Sequence, residues 1–331
     1  MQLTRRILGT LCALVVLACA LTAGYLTSTA RQPQDGRVYP RVRRLPISIY
    51  GASDFTPPTS STGCACVVAG SGSAGDPYVI AGWEIDASQT DGISVTSVDA
   101  HFVITQVNIS GTKQHTAIRF ENVQNAEVSK SMTAGTFSAV SIRASKNVAV
   151  VDNAIRESEY GVWLEASNSN IVVHNTIGRI GQVSIFVRGS DNLVEGNLIE
   201  GTYGGMNIDG TAGPADHNMV KNNTIRAAQA YGIGLWQAHS NTIASNTITN
   251  GQGPGMFITY ASSDNTIESN DVRQNTGDGI LITQSSSDNV VQSNVFTGNG
   301  DGVYTFDLHS DSSNNTWRDN TYLTRSSDTL G

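Results

Sequence analysis

Residues 265–306 read NTIESNDVRQNTGDGILITQSSSDNVVQSNVFTGNGDGVYTF, and the second half of this stretch rewrites the first. Asn265 and Asn270 return 24 residues later as Asn289 and Asn294, and Gly279 with Ile280 and Ile282 returns as Gly302 with Val303. Working outward, a small residue followed by an apolar, any, apolar pattern recurs at Gly92, Ala117, Ala139, Gly161, Ser184, Gly205, Gly232, Gly255, Gly279 and Gly302, with a mean gap of about 23. Asparagines five apart flank an apolar step at 170/175, 192/197, 218/223, 241/246, 265/270, 289/294 and 315/320. The body is one short unit written about ten times.

Each unit holds two or three stretches of alternating apolar residues, too short to bury a core alone. One coil must stack on the next, about 4.8 Å away, to close a continuous apolar column. No unit carries the 3.6-residue apolar period of helical solenoids, and leucine is not the recurring residue of a leucine-rich array. The expected fold is therefore an all-β solenoid, a parallel β-helix of about ten coils over residues 92–323. Residues 45–91 are expected to cap its first coil, with residues 324–331 a polar tail. The asparagines fall at one corner of every coil, where their amides are expected to bond from coil to coil as a ladder, with the residue itself taking the bent backbone.

Composition agrees with many strands and turns. Of 331 residues, 33 are glycine and 26 asparagine, and charged residues are only 15%. The net charge is -8, but past position 44 there are 13 basic against 27 acidic residues. Such a body repels nucleic acid. Five arginines lie between Arg31 and Arg44, a basic linker over residues 31–44. Before them, Arg5 and Arg6 precede an uncharged run from Ile7 to Leu26 and a small-residue site at Ser28 to Ala30. Residues 1–30 thus read as an export signal or as an uncleaved anchor, and Val16 to Cys19 also suits lipidation at Cys19. The body is expected outside the cytoplasm, in the periplasm, at the cell surface or secreted, with residues 7–26 its one contact with a membrane. Cys64 and Cys66, one residue apart, read as small turn residues whose bond would close too short a loop to stabilise much.

The units Asn265 to Val272 and Gly279 to Ile282 resemble the right-handed parallel β-helix repeats of the pectate-lyase-like superfamily. The entry segment, from Pro46 to Ile49 through Asp76 to Ile85, is similar to the start of NosD-like exported β-helix proteins. The resemblance spans roughly residues 45–323. It implies a right-handed helix, and a fold that hosts lyases, hydrolases, esterases, epimerases, adhesins and accessory proteins. The NosD-like resemblance implies a copper-linked accessory role, whereas the six histidines and five methionines do not cluster in the sequence.

Function is read from the outward face. If the small residue opens the longest strand, the third and fifth residues from it point out. The fifth positions give Glu121, Arg143, Glu165, Arg188 and Asp209 in successive coils, and Trp163, Phe186, Trp236, Phe257 and Tyr304 stand beside them. Aromatics next to charges along a groove suit sugar rings, so these five and Arg143 are the expected substrate-binding residues for a polysaccharide or cell-envelope glycan. Glu165 and Asp209, two rungs apart or roughly 9–10 Å, have the spacing of an acid and base pair, with Arg188 between them for an acidic sugar. Charge alternation is equally what stacked strands favour for their own cohesion. Asp278 and Asp301 precede the strand glycine in consecutive coils, a candidate Ca²⁺ pair. The functional expectation is a protein that binds, and on one reading cleaves as a hydrolase or lyase, polysaccharide along this face. The alternative is a non-catalytic scaffold, adhesin or NosD-like accessory protein.

Overall fold

The computed structural model describes residues 38–55 and 64–326. The leader or anchor of residues 1–30, Cys19 included, lies outside the described residues, as do the first part of the basic linker and the end of the tail. The chain winds through three sheets in turn. Tyr160–Glu165 belongs to sheet B, Ile171–Val173 to sheet C and Thr176–Gly178 to sheet A, after which Val183–Arg188 returns to sheet B one coil on. Sheet A has twelve strands. Coil-to-coil pairing is parallel throughout, with Val67–Ala69 against Tyr78–Ala81 as an antiparallel exception. The parallel crossover connections wind right-handed, the hand that twisted strands impose.

Stacking in register fills the interior with files of like residues. One file of sheet B runs Val140, Val162, Ile185, Met206, Ile233, Met256 and Ile280, all buried. Met206 and Met256 are thus core side chains that fill gaps between branched neighbours. The small-residue file lets adjacent coils approach closely: a Cβ on Gly205 would lie 2.1 Å from the Gly232 carbonyl oxygen.

The asparagine ladder forms as expected, and each rung is dense. Asn223 Nδ2 donates to Asn246 Oδ1, to Val194 O and to Lys221 O, each at 3.0 Å. Its own Oδ1 accepts from Asn197 N at 2.9 Å and Nδ2 at 3.0 Å. The bent backbone, however, belongs to the residue before each asparagine: Ser169, Asp191, His217, Ser240, Asp264 and Asp288 have φ between 55° and 59°. His217 is one of these exposed turn residues. A third file, Asn275 and Asn299, ends on Asp307, whose Oδ1 accepts Asn299 N and Nδ2 at 2.9 and 3.0 Å.

The ends differ from the sequence expectation. Residues 45–91 do not merely cover the helix: Ile47–Tyr50 pairs in register with Ile93–Val98, and Tyr78–Ala81 with Phe102–Thr105, so this segment is itself a coil. Phe55, stacked on Tyr78 at 4.8 Å and tilted against Phe102 at 5.2 Å, fills the core at that end. Cys64 and Cys66 are joined as a disulfide beside it, and Trp83 Nε1 donates to Cys66 O at 3.0 Å. At the far end the strand of sheet B begins at Leu308, which pairs with Ile280, and not at Gly302.

Candidate functional site

The outward face of sheet B carries the candidate site. Its register places Trp163, Phe186, Asn207, Gly234, Phe257, Leu281 and His309 in one file. Beside it run Glu121, Arg143, Glu165 and Arg188, with Asp209, Trp236 and Thr259 continuing the line. The strands place Trp163, Phe186, Trp236, Phe257 and Arg143 on this face, but Phe186, expected as an exposed sugar-binding ring, is buried at 8% with the Arg188 guanidinium 5.2 Å over it. Tyr304 is a correction. Asp301 Oδ1 collects the amides of Val303, Tyr304 and Thr305 at 2.8–3.1 Å, and the segment folds out as a tight turn with Tyr304 81% exposed. His309 takes the place expected for Tyr304.

The same slip separates Asp278 from Asp301. Phe306, not Asp301, stands one coil above Asp278, and the Phe306 amide donates to Asp278 Oδ1 at 2.7 Å. His309 Nδ1 lies 3.1 Å from the same oxygen. Burial holds the Asp278 carboxyl above the usual range, against the lowering effect of the Phe306 amide and His309. Asp301, gripped first by the Tyr304 amide and then by those of Val303 and Thr305, is held down at about 2. The stacked carboxylate pair expected for Ca²⁺ is not formed, because the turn moves Asp301 out of phase.

The central charges make an ion-paired strip. Arg188 Nη1 lies 3.2 Å from Glu165 Oε1, and Nη2 lies 3.1 Å from Asp209 Oδ2. Burial alone would lower the Arg188 pKa, but Asp209 and Glu165 outweigh it and raise it. The remaining carboxylate capacity is used as well. Trp163 Nε1 donates to Glu165 Oε2 at 3.1 Å, and Thr211 donates from N and Oγ1 to Asp209 Oδ1 at 2.8 and 2.5 Å. The loop at Thr211 to Asp216 thereby folds onto Asp209. The acid and base assignment of Glu165 and Asp209 loses its warrant here: both carboxylates are clamped on the guanidinium meant to serve the substrate.

Arg143 is different. It faces Glu121 and Glu165 across the strands, yet Arg119 Nη2 takes Glu121 at 3.1 Å and Arg188 takes Glu165. The exposed Arg143 guanidinium is left with no hydrogen bond or ion pair among the described residues. It lines a pocket of about 610 Å³ with Phe137 and Trp163 as apolar walls. Asp91, His115, Arg119 and Glu165 complete its polar side.

Two aromatic clusters flank the strip. Trp163 lies 4.5 Å from Tyr160, 5.3 Å from Phe186 and 6.4 Å from Phe137, centroid to centroid. Trp236 contacts Tyr231 at 4.9 Å and Phe257 at 5.7 Å, lying across Gly234, where a Cβ would fall 1.8 Å from its ring. Burial first, then Tyr203, Asp209 and Tyr160, push the Tyr231 phenol well up. Phe137, Tyr160 and Tyr231 escaped the sequence reading. They stand one or two residues before the small residue, a phase that signals aromatics at the mouth of the strand when it is followed from coil to coil. Asp91, His115 and Arg119 were missed for a similar reason, being spread over two coils.

The family model described as "Right handed beta helix region" matches residues 172–322, and that described as "Periplasmic copper-binding protein (NosD)" matches residues 68–213. No curated protein matches the chain. Among solved structures, the T265N mutant of the periplasmic alginate epimerase AlgG is 12% identical, with TM-score 0.60, over 89% of this chain and 82% of its own. The A-module of the Azotobacter vinelandii mannuronan C-5 epimerase AlgE4 is 11% identical, with TM-score 0.51, over 92% and 89%. A tailspike mutant of the E. coli bacteriophage HK620, in complex with a pentasaccharide, is 10% identical, with TM-score 0.52, over 72% and 57%. Among the described residues no group of three or more His, Cys, Asp and Glu side chains is placed to hold one metal ion, and Met206 and Met256 are in the core. The chain has a right-handed parallel β-helix fold.

Proposed function

We propose that this is an exported protein, periplasmic or at the cell surface, that binds an acidic polysaccharide along the outward face of sheet B. One observation carries the reading: Arg143 is an unclaimed guanidinium in a 610 Å³ pocket beside the Trp163 ring. A guanidinium with its donors free suits a planar carboxylate, and the indole beside it suits the apolar face of a sugar ring. Half-buried Trp236 and Phe257 extend the platform over further coils, as a polymer requires. Two epimerases and a pentasaccharide-bound tailspike share the fold, which supports a glycan as the ligand class. The Glu165–Arg188–Asp209 strip serves as a rigid charged floor, and its pairing favours recognition over turnover as the role of these three residues.

The test is a panel of uronic-acid and neutral glycans, with and without Ca²⁺, measured by calorimetry and by product analysis. Binding of uronic-acid polymers that is lost in Arg143→Gln is expected. Binding of none of them, or equal binding by Arg143→Gln, overturns the proposal.

A further inference from the structure

The N-terminal end of the stack differs in kind from the rest of the surface. Val38, Leu45 and Tyr50 are 85%, 83% and 66% exposed, and Val42 is 51% exposed, all within the first thirteen described residues. Arg41 and Arg43 alternate with them, exposed and without a partner among the described residues. Arg44 lies flat on the Trp83 ring, its Cζ 4.8 Å from the centroid. The strand Val42–Arg44 pairs with Trp83–Ala87 on one side and is the end of sheet A on the other. An apolar rim interleaved with arginines thus tops a body that carries 13 basic against 27 acidic residues.

We propose that this end of the helix rests on a bilayer of anionic phospholipid. Three observations select that occupant. The arginines are complementary to anionic headgroups, and guanidinium heads beside valine, leucine and tyrosine are the pattern of a side chain set at a membrane interface. The acidic body is repelled by the same surface, so only this end approaches it, which orients the helix axis away from the membrane. Finally, the uncharged run from Ile7 to Leu26 is separated from Val38 by eleven residues, a contour of at most about 40 Å. A run of twenty apolar residues placed in the bilayer would keep this rim within that distance of the headgroups, nearer on average than any later coil. The sugar-binding face would then look out along the side of a standing rod.

The full chain is reconstituted in vesicles of phosphatidylcholine with or without phosphatidylglycerol, so that the apolar run meets a bilayer in both. Amide hydrogen exchange of residues 41–45 is compared with that of the distant strand Ile280–Ile282. Exchange at residues 41–45 is expected to slow about tenfold or more with phosphatidylglycerol, from roughly one surface contact per arginine. The slowing should disappear in the Arg41→Glu/Arg43→Glu double variant and in high salt. Neither guanidinium has a hydrogen bond or ion pair to lose among the described residues, and because the variant sets a glutamate opposite Glu84, its fold is checked by unchanged exchange at residues 280–282. Equal exchange in the two vesicles overturns the proposal, as does equal slowing at residues 280–282, which would mean adhesion of the whole body. Full protection without vesicles also overturns it, since the rim would then be covered by the chain's own N-terminal segment.

Discussion

Arg188 lies between two carboxylates from neighbouring coils, 3.2 Å from Glu165 and 3.1 Å from Asp209, so that one guanidinium ties three consecutive coils on the outer face. Its side chain is 19% exposed, and Asp209 is 13% exposed. Partial burial makes the loss of the cation more costly than at an open surface. Arg188→Met is expected to destabilise the helix by roughly 1–3 kcal/mol in urea unfolding, the lower part of the buried range because solvent reaches the strip. Adding Asp209→Asn should restore part of that loss, since the carboxylate that has lost its counter-charge is then neutral. A double variant no more stable than the single one sinks the ion-pair account.

The ladder makes a sharper stability prediction. Asn223→Ala removes the acceptor for Asn197 N and Nδ2 and leaves Val194 O without its Nδ2 donor. At about 1–3 kcal/mol for each buried group left unpaired, a loss of at least about 2–4 kcal/mol is expected. Asn207 is the control. It is also buried, at 8% against 0% for Asn223, but its Oδ1 has no partner, so Asn207→Leu should leave stability nearly unchanged or raise it. Equal losses for the two variants, measured by the shift in urea midpoint, contradict the assignment of stability to the ladder.

The repeat was legible because each corner uses one residue type for one physical task. Asn265 and Asn289 are 24 apart and bond to each other, and Ile280 and Ile282 point into the core that their spacing implies. The reading fails where a local pattern imitates the unit. Gly302, Val303 and Tyr304 have the look of a strand opening, but Gly300 and Gly302 have φ of 67° and 73° and Asp301 closes a turn around them. The asparagine spacing holds the correction, since Asn315 lies 13 residues after Gly302 where 10 separate Gly279 from Asn289. The chemical site was legible only as a face. Which arginine is free depends on the competition of Arg119, Arg143 and Arg188 for Glu121 and Glu165, and a linear sequence does not contain that competition.

Asp278 and Asp301 respond to acid with opposite sign at the same end of the molecule. Burial raises the folded pKa of Asp278, so its contribution to stability is complete below the unfolded value of about 3.9 and is lost as the pH rises through the folded value. Asp278→Asn should flatten that part of the profile and bring its greater relative gain on the high-pH side, once the carboxyl has ionised. Asp301 is held at about 2, so its contribution is present above about pH 4 and is lost as the pH falls towards 2. The protection of the Val303, Tyr304 and Thr305 amides, measured against their intrinsic exchange rates, should therefore fall over that interval, and Asp301→Ala should lower it above about pH 4 with the difference vanishing towards pH 2. Protection in this turn that is unchanged from pH 4 to 2 contradicts the assignment.

Gly234 offers a test of the aromatic platform that leaves every charge in place. Trp236 can lie across the strand towards Phe257 only because residue 234 has no side chain there: a Cβ would meet its ring atoms at 1.8 and 2.2 Å. Those atoms belong to a movable side chain, so Gly234→Ala should be tolerated by the fold while lifting the indole off its seat between Tyr231 and Phe257. The strand pairing of Gly234 with Asn207 and Phe257 uses backbone and is unaffected. If a polymer runs from the Arg143 pocket along the whole platform, the variant should keep its affinity for short uronic-acid oligomers and lose roughly tenfold for long ones, the worth of about one aromatic contact. Equal affinity for long chains would confine the ligand to the pocket beside Trp163, and equal loss for short ones would place the end of the binding track at Trp236.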